Sequence, residues 1–249
     1  MPEPSVQRLL SYSADLAGAA VGFTAEYLQT VPSGAGGPIA SGVAALLKEL
    51  AARQFSPREC TRIAAATDVA TDRISTRLIA GHIPRSDNFF YDLQAGRSPS
   101  QELLEAVLLK ARDSFEEKKV RYIGLFYANL VFSDYVSPQS AHYLLKELEQ
   151  LSYRQLCLLA LVGAKEQLDV EALRRPEHGD PELEALKREE MDLHSTDLGT
   201  KGLIIGAGPW TDQLSILGKA MYDLAGLNEI PDGDKTALEA TIQSLRPPE

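Results

Sequence analysis

Residue types able to do chemistry are few in this 249-residue chain, and they rarely sit together. The tightest group is Glu189-Glu190-Met191-Asp192-Leu193-His194, where Glu190 and His194 stand one helical turn apart. That spacing puts a carboxylate and an imidazole on one helix face, half of a divalent-metal site that needs ligands from elsewhere. More often such a pair is a solvated helix face, and that reading is taken here. The other histidines, His82, His142 and His178, are scattered, and neither HExxH nor GxSxG occurs. Cys157 lies in a leucine-rich run and reads as an inert core thiol. Cys60 falls in a first helical turn, where the dipole lowers a thiol pKa, yet no neighbouring histidine supports catalysis.

Phosphate chemistry fares no better. Gly34-Ala35-Gly36-Gly37 lacks the lysine and hydroxyl residue of a P-loop and follows no strand. Gly206-Ala207-Gly208 lacks the third glycine and following helix of a dinucleotide fingerprint. Both read as turns. No catalytic, cofactor-binding or metal residue is assigned, no cofactor is expected, and the balance leans away from an enzyme.

What remains is contact chemistry. Phe89-Phe90-Tyr91, after Pro84-Arg85-Ser86-Asp87-Asn88, is a cluster of aromatics that either plugs a domain interface or anchors a partner. Phe115-Glu116-Glu117-Lys118-Lys119-Val120-Arg121-Tyr122 balances its lysines with glutamates and reads as a helix face paired within itself. Gly18 and Gly22, with Gly42 beyond a glycine-rich turn, give the N-terminal third small faces suited to close helix contact, within a hairpin or between subunits.

These residues must be positioned by helices. Ser56-Pro57-Arg58-Glu59, Ser98-Pro99-Ser100-Gln101 and Ser152-Tyr153-Arg154-Gln155 all fit the capping box, and Ser137-Pro138 and Asp180-Pro181 are further helix starts. Between them the apolar spacing is helical. Leu103, Leu104, Val107, Leu108 and Ala111 form one stripe, continued by Val120, Ile123, Phe126, Tyr127 and Leu130. Tyr143, Leu144, Leu148 and Leu151 form the next, and residues 156–162 are apolar on nearly all sides, as in a fully buried helix. Strand signals are confined to residues 202–205 and 213–217, a hairpin with a long tip. Helices over 218–227 and 234–245 follow.

The expected fold is therefore mainly α, with more than about 60% helix against a base rate near one third. The expected organisation is a glycine-rich helical region over 1–97, a central helical body over 98–165, and a small winged-helix-like unit with one β-hairpin over 166–249.

Composition bounds the rest. Hydrophobic residues at 44% are enough for a real core, and 24% charged residues suit a globular chain. Two unpaired cysteines and an N-terminus without a basic-then-apolar leader point to the cytoplasm. The most apolar N-terminal stretches are too short or too interrupted by charge to span a bilayer, so lipid contact there would be peripheral. Residues 1–100 carry nine acidic and nine basic side chains, leaving 26 of 35 acidic and 16 of 25 basic ones to the remainder, which thus holds the whole net charge of −10. A nucleic-acid surface needs the opposite sign.

From Phe126 to Leu161 the pattern resembles a known family. Leu125-Phe126-Tyr127-Ala128-Asn129-Leu130, Val136-Ser137-Pro138, Leu148-Glu149-Gln150-Leu151-Ser152 and the run from Leu156 to Leu161 resemble the bacterial abortive-infection alpha family. Leu214-Ser215-Ile216-Leu217-Gly218-Lys219-Ala220 is similar to that family's later helix start, while residues 168–179 depart from its pattern. The resemblance covers about half the chain and rests on apolar spacing and caps. It implies a helical protein of antiphage defence and transfers no functional residue.

Three functional expectations follow. The first is a non-enzymatic interaction or assembly protein with a protein partner or self-association, acting in antiphage defence. The second is a winged-helix DNA-binding regulator, whose recognition helix over 182–198 would carry six acidic side chains against Lys187 and Arg188. The third is a membrane-associating effector working through the N-terminal helices.

Overall fold

The structure, a computed structural model, describes residues 53, 55–91, 96–164, 181–205 and 213–244. Gly18, Gly22 and Gly42, the glycine loop at 34–37 and the hairpin tip at 206–212 lie outside the described residues. About three quarters of the described residues are helical, and among them there is one antiparallel two-stranded hairpin, as expected from the caps and spacing. The chain forms two compact units, Met1–Glu149 and Gln150–Glu249. Unit 1 therefore includes helices that the sequence alone assigns to two regions.

In unit 1, α1 (Pro57–Ile79) packs along α3 (Glu117–Leu130), and α2 (Pro99–Asp113) lies against both. α4 (Pro138–Gln150) completes the unit, its last residue falling beyond the division. The capping boxes form as read: Ser56 and Ser98 each accept from the amide three residues on, and Glu59 and Gln101 return the bond. The stripe of α2 is buried as expected. α3 differs from its expected stripe, because Tyr122, Leu125, Ala128 and Asn129 are buried as well, leaving Arg121 as the exposed position of its interior. It is the core helix of the unit. Tyr143 of α4 is exposed, whereas Leu144, Leu145 and Leu148 are buried.

Charge ties the bases of these helices together. Arg62 of α1 is buried, donating from Nε and Nη2 to Glu117 Oε1 at 3.0 and 2.8 Å, and from Nη1 to the Arg112 carbonyl at 3.1 Å. One guanidinium thus serves an acidic side chain in the first turn of α3 and a carbonyl in the last turn of α2, the two helix ends where such charges are favoured. Arg58 adds a bond to the same oxygen at 2.9 Å. Within the 115–122 segment, Glu117 thus pairs across helices. Lys119 is buried and donates to the Glu149 carbonyl at 2.7 Å. Burial lowers its pKa, opposed by Glu116 and Glu149.

Hydrogen bonds from Arg62, then Arg58, hold the Glu117 carboxyl below the ordinary carboxylate range. A depressed folded pKa contributes stability that is complete above the unfolded value, about 4.3, and is lost as pH falls through the folded one. Glu117→Gln should therefore lower the thermal midpoint at neutral pH, with the deficit shrinking as acid is added. A deficit of constant size between about pH 3 and pH 7 would show that this carboxylate is not the source.

Deeper in the unit, the Tyr127 hydroxyl meets Ser100 Oγ at 2.7 Å, and full burial pushes its pKa up to about 12 against the opposing Ser100 bond. Tyr127→Phe leaves a buried Ser100 hydroxyl without this partner, so a loss of about 1 kcal/mol is expected in denaturant titrations. The double change with Ser100→Ala should recover part of that loss.

In unit 2, α5 (Tyr153–Ala164) is central and buried from Gln155 to Val162, as the apolar run requires. α6 (Pro181–Thr200) turns Met191, Ser195 and Leu198 inward. Strands β1 (Ile204–Ile205) and β2 (Gln213–Leu214) pair with Ile204 opposite Leu214 and Ile205 opposite Gln213. The expected second strand does not reach Leu217. Ser215 Oγ accepts from the Gly218 amide at 2.9 Å, and this cap starts α7 (Ile216–Ala225). Gly226 in the left-handed region closes α7, and α8 (Asp232–Ser244) returns against α5. Gln155 joins the layers. Its Oε1 accepts from the Ser152 amide at 2.8 Å, completing the third capping box, while Nε2 donates to Asp197 of α6 at 2.7 Å.

Candidate functional site

The chemistry considered from sequence resolves into packing. Glu190 is not a solvated partner of His194 alone: Arg154 of α5 lies 3.1 Å from Glu190 Oε1, and His194 Nε2 lies 3.3 Å from the same oxygen. The pair serves the α5–α6 contact. Among the described residues, no group of three or more His, Cys, Asp or Glu side chains is placed to hold a metal. Cys60 reverses its expectation. Its thiol is buried, and burial followed by the Glu59 charge pushes the pKa up, outweighing the first-turn position.

One end of unit 1 stands apart. α1 closes with Gly81 at φ +84°, its amide bonded to the Leu78 carbonyl at 3.0 Å and the His82 amide to the Arg77 carbonyl at 2.9 Å. That is a Schellman stop, and it swings the chain away from the helix axis. The following segment is then fastened to the end of α3 by the Arg85 amide, which donates to the Val131 carbonyl at 2.9 Å. Phe132, just past α3, lies 5.4 Å beneath the Arg77 guanidinium and edge-on to His82 at 6.3 Å.

Arg85 organises the segment. Its side chain is buried, grips Asp87 with Nε and Nη2, and stacks 4.4 Å from the Phe89 ring. The Arg85 bond, ahead of other causes, holds the Asp87 carboxyl below its usual range. Asp87 Oδ1 in turn accepts from the Phe89 amide and opens the 3₁₀ turn Asn88–Phe90, which packs on α2.

The expected aromatic cluster is thereby split by role. Phe89 is buried in unit 1, and Phe90 is half-buried and edge-on to it at 5.0 Å. Tyr91 is 51% exposed. Phe89 thus anchors the turn rather than meeting a partner. Around it the same end exposes Ile79 by 71%, Ile83 by 84% and Tyr135 by 65%. Sequence reading missed these three. The available signal was the pair of isoleucines either side of the Gly81 stop, which no helical stripe claims.

Large apolar side chains exposed on a segment fastened at several points are what a contact surface requires. They offer area to bury, and little chain entropy remains to be lost on binding. Phe115, 95% exposed, stands by Glu117 at the other end of the α1–α3 pair and does not join them. Among the described residues no helix is long and apolar enough to cross a membrane. The chain matches no family model, no curated protein and no solved structure.

Proposed function

We propose that this chain is a non-enzymatic interaction protein that engages a protein partner, a second copy included, through Ile79, Ile83, Tyr91 and Tyr135. The carrying observation is the Arg85–Asp87–Phe89 knot, which fastens the segment beside an exposed apolar end. The resemblance of residues 126–161 to the abortive-infection alpha family supports bacterial antiphage defence as the setting of this reading. Acidic side chains on α6, Glu189 and Asp192 among its exposed residues, repel a phosphate backbone and favour a protein over a duplex.

The test is site-specific cross-linking. A photo-reactive residue at Ile83 should capture one defined protein in cells, whereas the same residue at exposed Gln139 should not. With the photo-reactive residue kept at position 83, the pair Ile79→Ser and Tyr91→Ser should abolish that capture at an unchanged melting temperature, since both side chains are exposed in the folded unit. Identical products from both positions, or capture that survives the pair, would refute the proposal.

A further inference from the structure

We draw no further inference here: the strongest candidate, the open groove of about 230 Å³ between α1 and α3 lined by Asp68, Asp72, Arg73 and Arg121 over Val69 and Leu125, mixes two carboxylates with two guanidiniums and has no buried unpartnered group among its lining residues, so nothing in it selects a ligand.

Discussion

Replacing Gly218 by alanine should destabilise unit 2 by about 1–3 kcal/mol, with the hairpin lost first. A Cβ built at Gly218 lies 1.8 Å from the Leu203 carbonyl oxygen and 2.8 Å from its carbon. Two effects oppose each other. Alanine within a helix gains about 1 kcal/mol over glycine. Against that, the clash is with backbone, which no rotamer change relieves, and overpacking of this kind costs roughly 1–3 kcal/mol. The Leu203 carbonyl also accepts from the Ser215 amide at 3.0 Å, so moving it costs a further bond worth about 1 kcal/mol. The steric side wins. Gly199→Ala is the control, because nothing lies within 4 Å of a Cβ there and it should be neutral or stabilising. Denaturant titration of the two variants decides the matter. If Gly218→Ala is as stable as Gly199→Ala, the close approach of α7 to residue 203 is wrong.

Gly124→Ala should destabilise unit 1 by about 1–2 kcal/mol, and Gly124→Leu by considerably more. A Cβ at this position meets the Ala66 carbonyl oxygen at 2.6 Å and the Ala66 Cα and carbonyl carbon at 3.2 Å. Here α3 and α1 approach so closely that one helix's glycine faces the other's backbone. The helix-propensity gain of about 1 kcal/mol again works against the steric cost, and the smaller overlap makes the net effect milder than at Gly218. A second change separates this account from a loose packing effect. Because the obstacle is the residue 66 backbone and not its methyl group, Ala66→Gly should not rescue Gly124→Ala. Rescue by Ala66→Gly would place the contact on the side chains and overturn the geometry.

Close approach through a small residue was legible as an idea but not as a location. The sequence draws attention to Gly18 and Gly22, one turn apart on one helix, and to Gly42 beyond a glycine-rich turn, whereas Gly124 stands alone among Tyr122, Ile123, Leu125 and Phe126. A lone glycine in an apolar run carries no periodic signal. Its purpose depends on what another helix, nearly 60 positions earlier, brings against it. The same holds for Cys60. Its place in a first turn is local and argued for a lowered pKa, but burial against distant residues reversed the sign.

The candidate surface shows the division most clearly. Phe89-Phe90-Tyr91 was visible as a cluster, yet whether each ring points inward depends on Arg85, which must be buried to stack on Phe89 and grip Asp87. Ile79, Ile83 and Tyr135 come from two chain segments that the Arg85–Val131 bond and the packing on Phe132 help bring together.

By itself the sequence determined where the Ser-capped helices α1, α2 and α5 begin and that α2 and α5 bury their apolar faces. Capping boxes and apolar spacing act within a few residues, so their energetics are present in any short segment. Ser56, Ser98 and Ser152 each cap as written. The tertiary structure alone decided that α3 is buried on nearly every side past Arg121, that Arg62 and Glu117 pair across helices, and that an apolar end is left exposed. Each of these depends on long-range approach, where desolvation and steric exclusion are set by residues far away in the chain.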